Sequence, residues 1–127
     1  MSAPLILYIE DNIPNRELVK RVLEVEGYEV MEASTGQIGL ILAMQRTPDL
    51  ILMDINLPEM DGYTVTAQLR TIPTLVNTPI VALTANVMRG DREKSLNAGC
   101  DGYIRKPVDI DKLPDQVATY LAGTNRK

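Results

Sequence analysis

Short apolar runs alternate along the chain with longer stretches whose apolar positions recur every three or four residues. Leu5-Ile6-Leu7-Tyr8-Ile9 is a continuous apolar run of strand length, ended by Glu10-Asp11-Asn12. Pro14 then opens a helix with Leu18, Val22 and Val25 on its apolar positions, and Gly27 stops it. Tyr28 to Ala33 reads as a second strand and Gly36 to Arg46 as a second helix. Leu50-Ile51-Leu52-Met53-Asp54 is a third strand, apolar until its last residue. A loop containing Pro58 leads to a helix from about Asp61 to Ile72, and Pro79 to Thr84 forms the fourth strand. Val87 to Ala98 is a polar helix closed by Gly99. Tyr103-Ile104 lies in a short fifth strand before Lys106-Pro107, and Ile110 to Leu121 is the last helix, which Pro114 should delay or kink.

Strands that are apolar throughout are covered on both sides, so this alternation specifies an α/β fold: a parallel five-stranded sheet with helices on both faces. No linker, low-complexity tract or repeat beyond the βα alternation interrupts it. The expectation is one domain over 1–127, with its core at 4–122 and no effector domain. The second helix is a local exception to simple patterning. Gly39, Leu40, Ala43 and Met44 form one stripe, while Ile38, Ile41 and Leu42 point largely the other way. A helix apolar all round should be covered, which leaves a partner or dimer contact and a wrong face assignment as the two readings.

Size and composition narrow the chemistry. A chain of 127 residues and 14.1 kDa can bury one sizeable core. Thirteen Lys and Arg against seventeen Asp and Glu give a net charge of −4, which argues against nucleic acid as a partner. No apolar run reaches the roughly 18 residues of a membrane span, and no basic leader precedes the first strand. With the single Cys100 unable to form an internal disulfide, the expected setting is the cytoplasm. The absence of His excludes histidine acid–base catalysis, Ser-His-Asp triads and histidine-ligated zinc. Carboxylates, amides, hydroxyls and amines must do the work.

In open α/β sheets, ligands bind outside the carboxyl ends of the strands. There the first strand delivers Glu10 and Asp11, the third Asp54, the fourth Thr84 and the fifth Lys106. Singly, each has an ordinary explanation, such as Asp11 or Asn12 capping the helix at Pro14. Together they crowd one edge with acid. Two carboxylates about 5 Å apart repel by roughly 3 kcal/mol at an effective dielectric near 20. Three of them call for a cation, and oxygen ligation in a partly open site suits Mg²⁺ or Mn²⁺.

Glu10-Asp11 after the first strand, Asp54 within LILMDINLPEMDG, Thr84-Ala85 after the fourth strand, and Tyr103 three residues before Lys106-Pro107 resemble the receiver domain of two-component response regulators. The resemblance spans about residues 4 to 122 in the family's order. The stretch MRGDREKSLNAGCDGYIRKP further resembles single-domain receivers and those attached to hybrid kinases. It implies the flavodoxin-like strand order 2-1-3-4-5, the order that a chemotaxis receiver exemplifies.

The resemblance also implies a mechanism. Asp54 would accept a phosphoryl group from a sensor histidine kinase or histidine phosphotransfer protein, and Lys106 would pair with phosphoryl oxygens. Asp11 and Asp54 would bind Mg²⁺ directly, Glu10 through water, and the Asn56 carbonyl would complete the protein ligands. Thr84 and Tyr103 would switch, moving the helix from Val87 to Ala98. A downstream protein would read the face formed by that helix, the fifth strand and the last helix. Asn56 and Asn86 would set the hydrolysis rate. The chain would catalyse only its own phosphorylation and slow dephosphorylation.

Three other readings are distinguishable. A haloacid-dehalogenase-like phosphatase needs a second acid where Asn56 stands. A flavodoxin-like FMN binder would not carry an acidic first loop. A degenerate receiver used only for docking would not need the intact acidic set.

Overall fold

The computed structural model describes residues 3–57, 60–84 and 98–123. Strands β1 (Leu5–Ile9), β2 (Glu29–Ala33), β3 (Leu50–Asp54), β4 (Ile80–Thr84) and β5 (Gly102–Arg105) form one parallel sheet in the order β2-β1-β3-β4-β5. This is the expected 2-1-3-4-5 arrangement. The three inner strands are buried along their whole length, whereas edge strand β2 is half-exposed, as the hydrophobic patterns require.

Alternation along the strands builds two cores. Leu7, Ile9, Ile51, Met53 and Ala82 point to one face, where Ala43, Val65 and Leu69 pack on them. Ile6, Tyr8, Leu50, Leu52, Val81 and Leu83 point to the other, against Val19, Leu23, Leu113 and Val117. Helices α1 (Ile13–Val25) and the C-terminal helix (Leu113–Gly123) therefore cover one side, and α2 (Gly36–Gln45) and α3 (Gly62–Leu69) the other.

Helix starts follow the expected signals. The Asn12 side chain caps α1 by accepting from the Asn15 N–H at 2.9 Å, and Asp61 caps α3 through Thr64 at 2.9 Å. Gly27, at φ 95°, ends the α1 segment in the left-handed region. Two helix limits differ from expectation. Helix α3 stops at Leu69 rather than Ile72 because Pro73 forces Ile72 into extended backbone. The C-terminal helix begins at Leu113 rather than Ile110, with Pro114 in its first turn, where a missing N–H costs nothing. Pro114 thus delays the helix.

Two helix faces also differ. Helix α1 buries Val19 and Leu23, while Leu18 and Val25 are exposed. Helix α2 buries Gly36 against Val65 of α3 and Gly39 against Ile9 of the sheet, Ala43 and Leu42 join the core, and Met44, 62% exposed, turns outward with Ile38 and Ile41. Small residues let α2 lie so close that a Cβ at Gly39 would stand 2.8 Å from Ile9 Cγ1. The expected helix from Val87, together with Asn86 and Pro58, lies outside the described residues. Ala98 is helical and Gly99, at φ 111°, follows it.

Candidate functional site

Strand phase explains why the acids meet. Tyr8 and Glu10 are two residues apart on β1 and its extension, as are Leu52 and Asp54 on β3, so all four side chains address the α1 face. Parallel pairing of β1 and β3 brings the two carboxyl ends side by side. Ligand oxygens of Glu10, Asp11 and Asp54 lie within 4.8 Å of one another. Glu10 and Asp54 are each 1% exposed, while Asp11 faces solvent.

Lys106 follows β5, and the Lys106–Pro107 peptide is cis. Its ammonium stands 2.9 Å from Asp54 Oδ1 and 3.3 Å from Glu10 Oε1. Its own N–H donates to the Thr84 carbonyl at 2.8 Å, tying the lysine to the end of β4. The Asn56 N–H donates to Asp54 Oδ1 at 3.0 Å. The expected acidic set, Lys106 and Asn56 are therefore brought together.

Thr84 is buried at the end of β4, two residues after Ala82 and on the strand next to the one that carries Asp54. Tyr103 is half-buried on β5, opposite Ala82 in register, and packs against the same core as Ala82. Thr84 and Tyr103 therefore sit diagonally on one side of adjacent strands.

Electrostatics follow from this packing. Burial raises the Glu10 carboxyl above its ordinary value, and neighbouring Asp54 raises it further against the opposing effect of Lys106. Burial alone would lower the Lys106 ammonium, but its bonds to Asp54 and its attraction to Asp54 and Glu10 hold it above the ordinary range. Burial and the Glu10 charge push the Tyr8 phenol far above its usual range, so it stays a hydroxyl donor. Three carboxylates facing one ammonium leave two negative charges uncompensated when all are ionised. An all-oxygen, doubly negative set fits a small hard dication such as Mg²⁺.

Several supporting residues were not anticipated. The Tyr8 hydroxyl donates to Glu10 Oε1 at 3.2 Å, and it is the one polar side-chain atom in the LILYI strand. Arg16 donates from Nη1 to the Glu10 carbonyl at 2.8 Å and pairs with Glu32 at 3.0 Å. Gly62 opens α3 against the end of β3, where an added Cβ would stand 2.6 Å from the Asp54 carbonyl oxygen. The glycine in the MDG motif thus permits a close approach under the central acid. Beside the acids, a cavity of about 310 Å³ is walled by Tyr8, Glu10, Leu18, Lys106 and Val108.

Among the described residues no helix is long and apolar enough to cross a membrane. A model of the response regulator receiver domain matches residues 6–118. The polar-differentiation response regulator DivK of Brucella ovis is 39% identical over 116 residues, covering 91% of this chain and 94% of that protein. The Vibrio cholerae chemotaxis protein CheY4 aligns with a TM-score of 0.91 at 27% identity, covering 94% of this chain and 99% of that one. The receiver domain of the sensor histidine kinase PA1611 from Pseudomonas aeruginosa aligns with a TM-score of 0.87 at 35% identity, covering 95% and 99% respectively. That structure has a magnesium ion coordinated in its active-site cleft.

Proposed function

The chain belongs to the response regulator receiver family, and from that premise we propose that Asp54 is its phosphoryl acceptor. Receivers are phosphorylation-activated signalling proteins rather than classical enzymes; they bind Mg²⁺ at an acidic site and work with histidine kinases and downstream targets. The observation that carries the assignment is the buried Asp54 carboxylate, grouped with Glu10 and Asp11 and held by Lys106 at 2.9 Å.

In the proposed transfer an Asp54 oxygen attacks phosphorus, the donor's P–N bond breaks, and its imidazole leaves. A carboxylate nucleophile has no proton to give up on attack, so no base is required and the missing histidine is no obstacle. Asp11 and Asp54 would hold Mg²⁺, with the Asn56 carbonyl as a further ligand and Glu10 acting through water; Mn²⁺ should substitute. The metal supplies positive charge to the transferring group. Lys106 would turn its ammonium toward the phosphoryl oxygens, keeping the added charge paired.

The readout would pass through Thr84, whose hydroxyl can donate to the new oxygens, and through Tyr103 on the same side of the sheet. The arrangement favours self-phosphorylation and slow self-dephosphorylation over turnover of a separate substrate. The face around β5 and the C-terminal helix is the proposed docking surface for a downstream protein.

Intact mass after incubation with Mg²⁺ and acetyl phosphate tests this reading. One phosphoryl group should add to the wild-type chain, and none to Asp54→Asn or to wild type in chelator. No addition to wild type would overturn the assignment in favour of a docking module.

A further inference from the structure

Glu10 carries its carboxylate on a longer tether than an aspartate would, so something must hold it in place. We propose that Tyr8 is a positioning residue for the metal site: its buried hydroxyl fixes the Glu10 carboxylate in the orientation that serves a bound Mg²⁺. This inference rests on the metal-binding reading above.

The pair is built by the strand itself. Residues two apart on β1 share a face, so the Tyr8 ring lies under the Glu10 side chain and reaches Oε1 at 3.2 Å. Tyr8 is 1% exposed, and a buried phenol without a partner is costly, so its packing and its hydrogen bond enforce each other. Oε2 accepts from the Asn12 N–H at 3.2 Å, and the Glu10 carbonyl accepts from Arg16. Oε1 has two donors, Tyr8 and Lys106.

Those two donors differ in permanence. Lys106 is shared with Asp54 and, on the proposed mechanism, turns toward the phosphoryl group. Tyr8 then remains the side-chain donor to Oε1. The cavity of about 310 Å³ beside Glu10 gives the carboxylate somewhere else to go, and the Tyr8 hydroxyl at its wall keeps Glu10 facing the acids. Outer partners of metal-site ligands act in this way, and their loss typically weakens metal binding by about 10- to 100-fold.

The test is calorimetric titration of the full chain with MgCl₂, using wild type, Tyr8→Phe, Glu10→Gln and the double variant. Tyr8→Phe keeps the ring in the core and removes only the hydroxyl. It should raise the Mg²⁺ dissociation constant by about tenfold in the wild-type background. In the Glu10→Gln background the same change should have almost no effect, because the group it positions is gone. Equal affinity of wild type and Tyr8→Phe would overturn the inference while leaving the metal site standing. Equal weakening in both backgrounds would also overturn it, showing that Tyr8 acts on the fold and not on Glu10. No Mg²⁺ binding by wild type would instead overturn the metal reading itself.

Discussion

Lys106 and Asp54, 52 residues apart in the chain, meet at 2.9 Å between the ammonium nitrogen and Oδ1. The contact joins the loop after β5 to the end of β3 across the intervening β4, whose Thr84 carbonyl anchors the lysine backbone. In the metal-free state the ammonium serves as the resident counter-charge of two buried carboxylates. A bound dication would relieve it of that duty and leave it to pair with the incoming phosphoryl group.

Lys106→Ala should therefore have two effects of opposite sign. Without metal, Asp54 and Glu10 lose their shared cation, and the protein should lose about 2 kcal/mol of stability, below the 3–5 kcal/mol of a fully buried pair because Lys106 is 19% exposed. With the competing charge removed, Mg²⁺ should bind about tenfold more tightly. Urea denaturation in chelator and calorimetric Mg²⁺ titration check the two effects. Weaker Mg²⁺ binding in the variant would show that Lys106 organises the acids more than it competes for them.

Glu10 sets a pH dependence in metal-free buffer. Its carboxyl is held above the ordinary 4.5, so the folded protein binds this proton more tightly than the unfolded chain. Its contribution to stability is greatest below 4.5 and falls as pH rises from there through the raised value. Glu10→Gln removes that slope, so the variant should gain stability relative to wild type as pH rises across this interval. Urea denaturation at a series of pH values in chelator measures the difference. A pH-independent gap between the two proteins would contradict the assignment.

The site was legible in the sequence because a parallel sheet delivers strand ends to one edge. Glu10, Asp11, Asp54, Thr84 and Lys106 each terminate an apolar run or follow one, and the order of the runs does the rest. Helix faces were less legible. Leu18 and Val19 are adjacent apolar residues about 100° apart on α1, so spacing alone does not choose between them. Helix α2 is apolar throughout and gives periodicity no phase; close seating on Gly36 and Gly39 decides it. Tyr8 was hidden because a tyrosine in an apolar strand reads as core, and its partner emerges only when β1 is extended to Glu10. Arg70 was hidden for a different reason: its partners are scattered along the chain.

Thr84→Ala should separate phosphorylation from readout. Thr84 is buried at the end of β4 and diagonal to Tyr103, while Asp54 has its own partners in Lys106 and the Asn56 N–H, so the acidic set should stay in place when the Thr84 hydroxyl is lost. Phosphate incorporation from acetyl phosphate should persist in the variant. The difference in affinity that a downstream partner shows for phosphorylated and unmodified protein should collapse. Pull-down with both forms of each protein reads this directly. A partner that still discriminates as before would exclude Thr84 from the readout.

Arg70→Ala should be among the more damaging changes away from the acids. From the end of α3 its guanidinium donates to the Gly99 carbonyl at 2.9 Å, the Leu75 carbonyl at 2.8 Å and the Thr78 carbonyl at 2.6 Å. It also pairs with Asp101 Oδ2 at 2.7 Å, an oxygen that in turn accepts from the Ile80 N–H. One side chain thus ties the turn after α3 and the start of β4 to the segment entering β5. Hydrogen bonds from a charged donor contribute about 1.5–3 kcal/mol each, but removing several from one group is not additive, so the expected loss is about 3 kcal/mol. Arg70→Lys should recover little of it, because a single ammonium cannot reproduce the planar fork that serves four acceptors. Urea unfolding of the three proteins measures both statements. Full recovery by lysine would show that charge, and not the geometry of the guanidinium, holds these segments together.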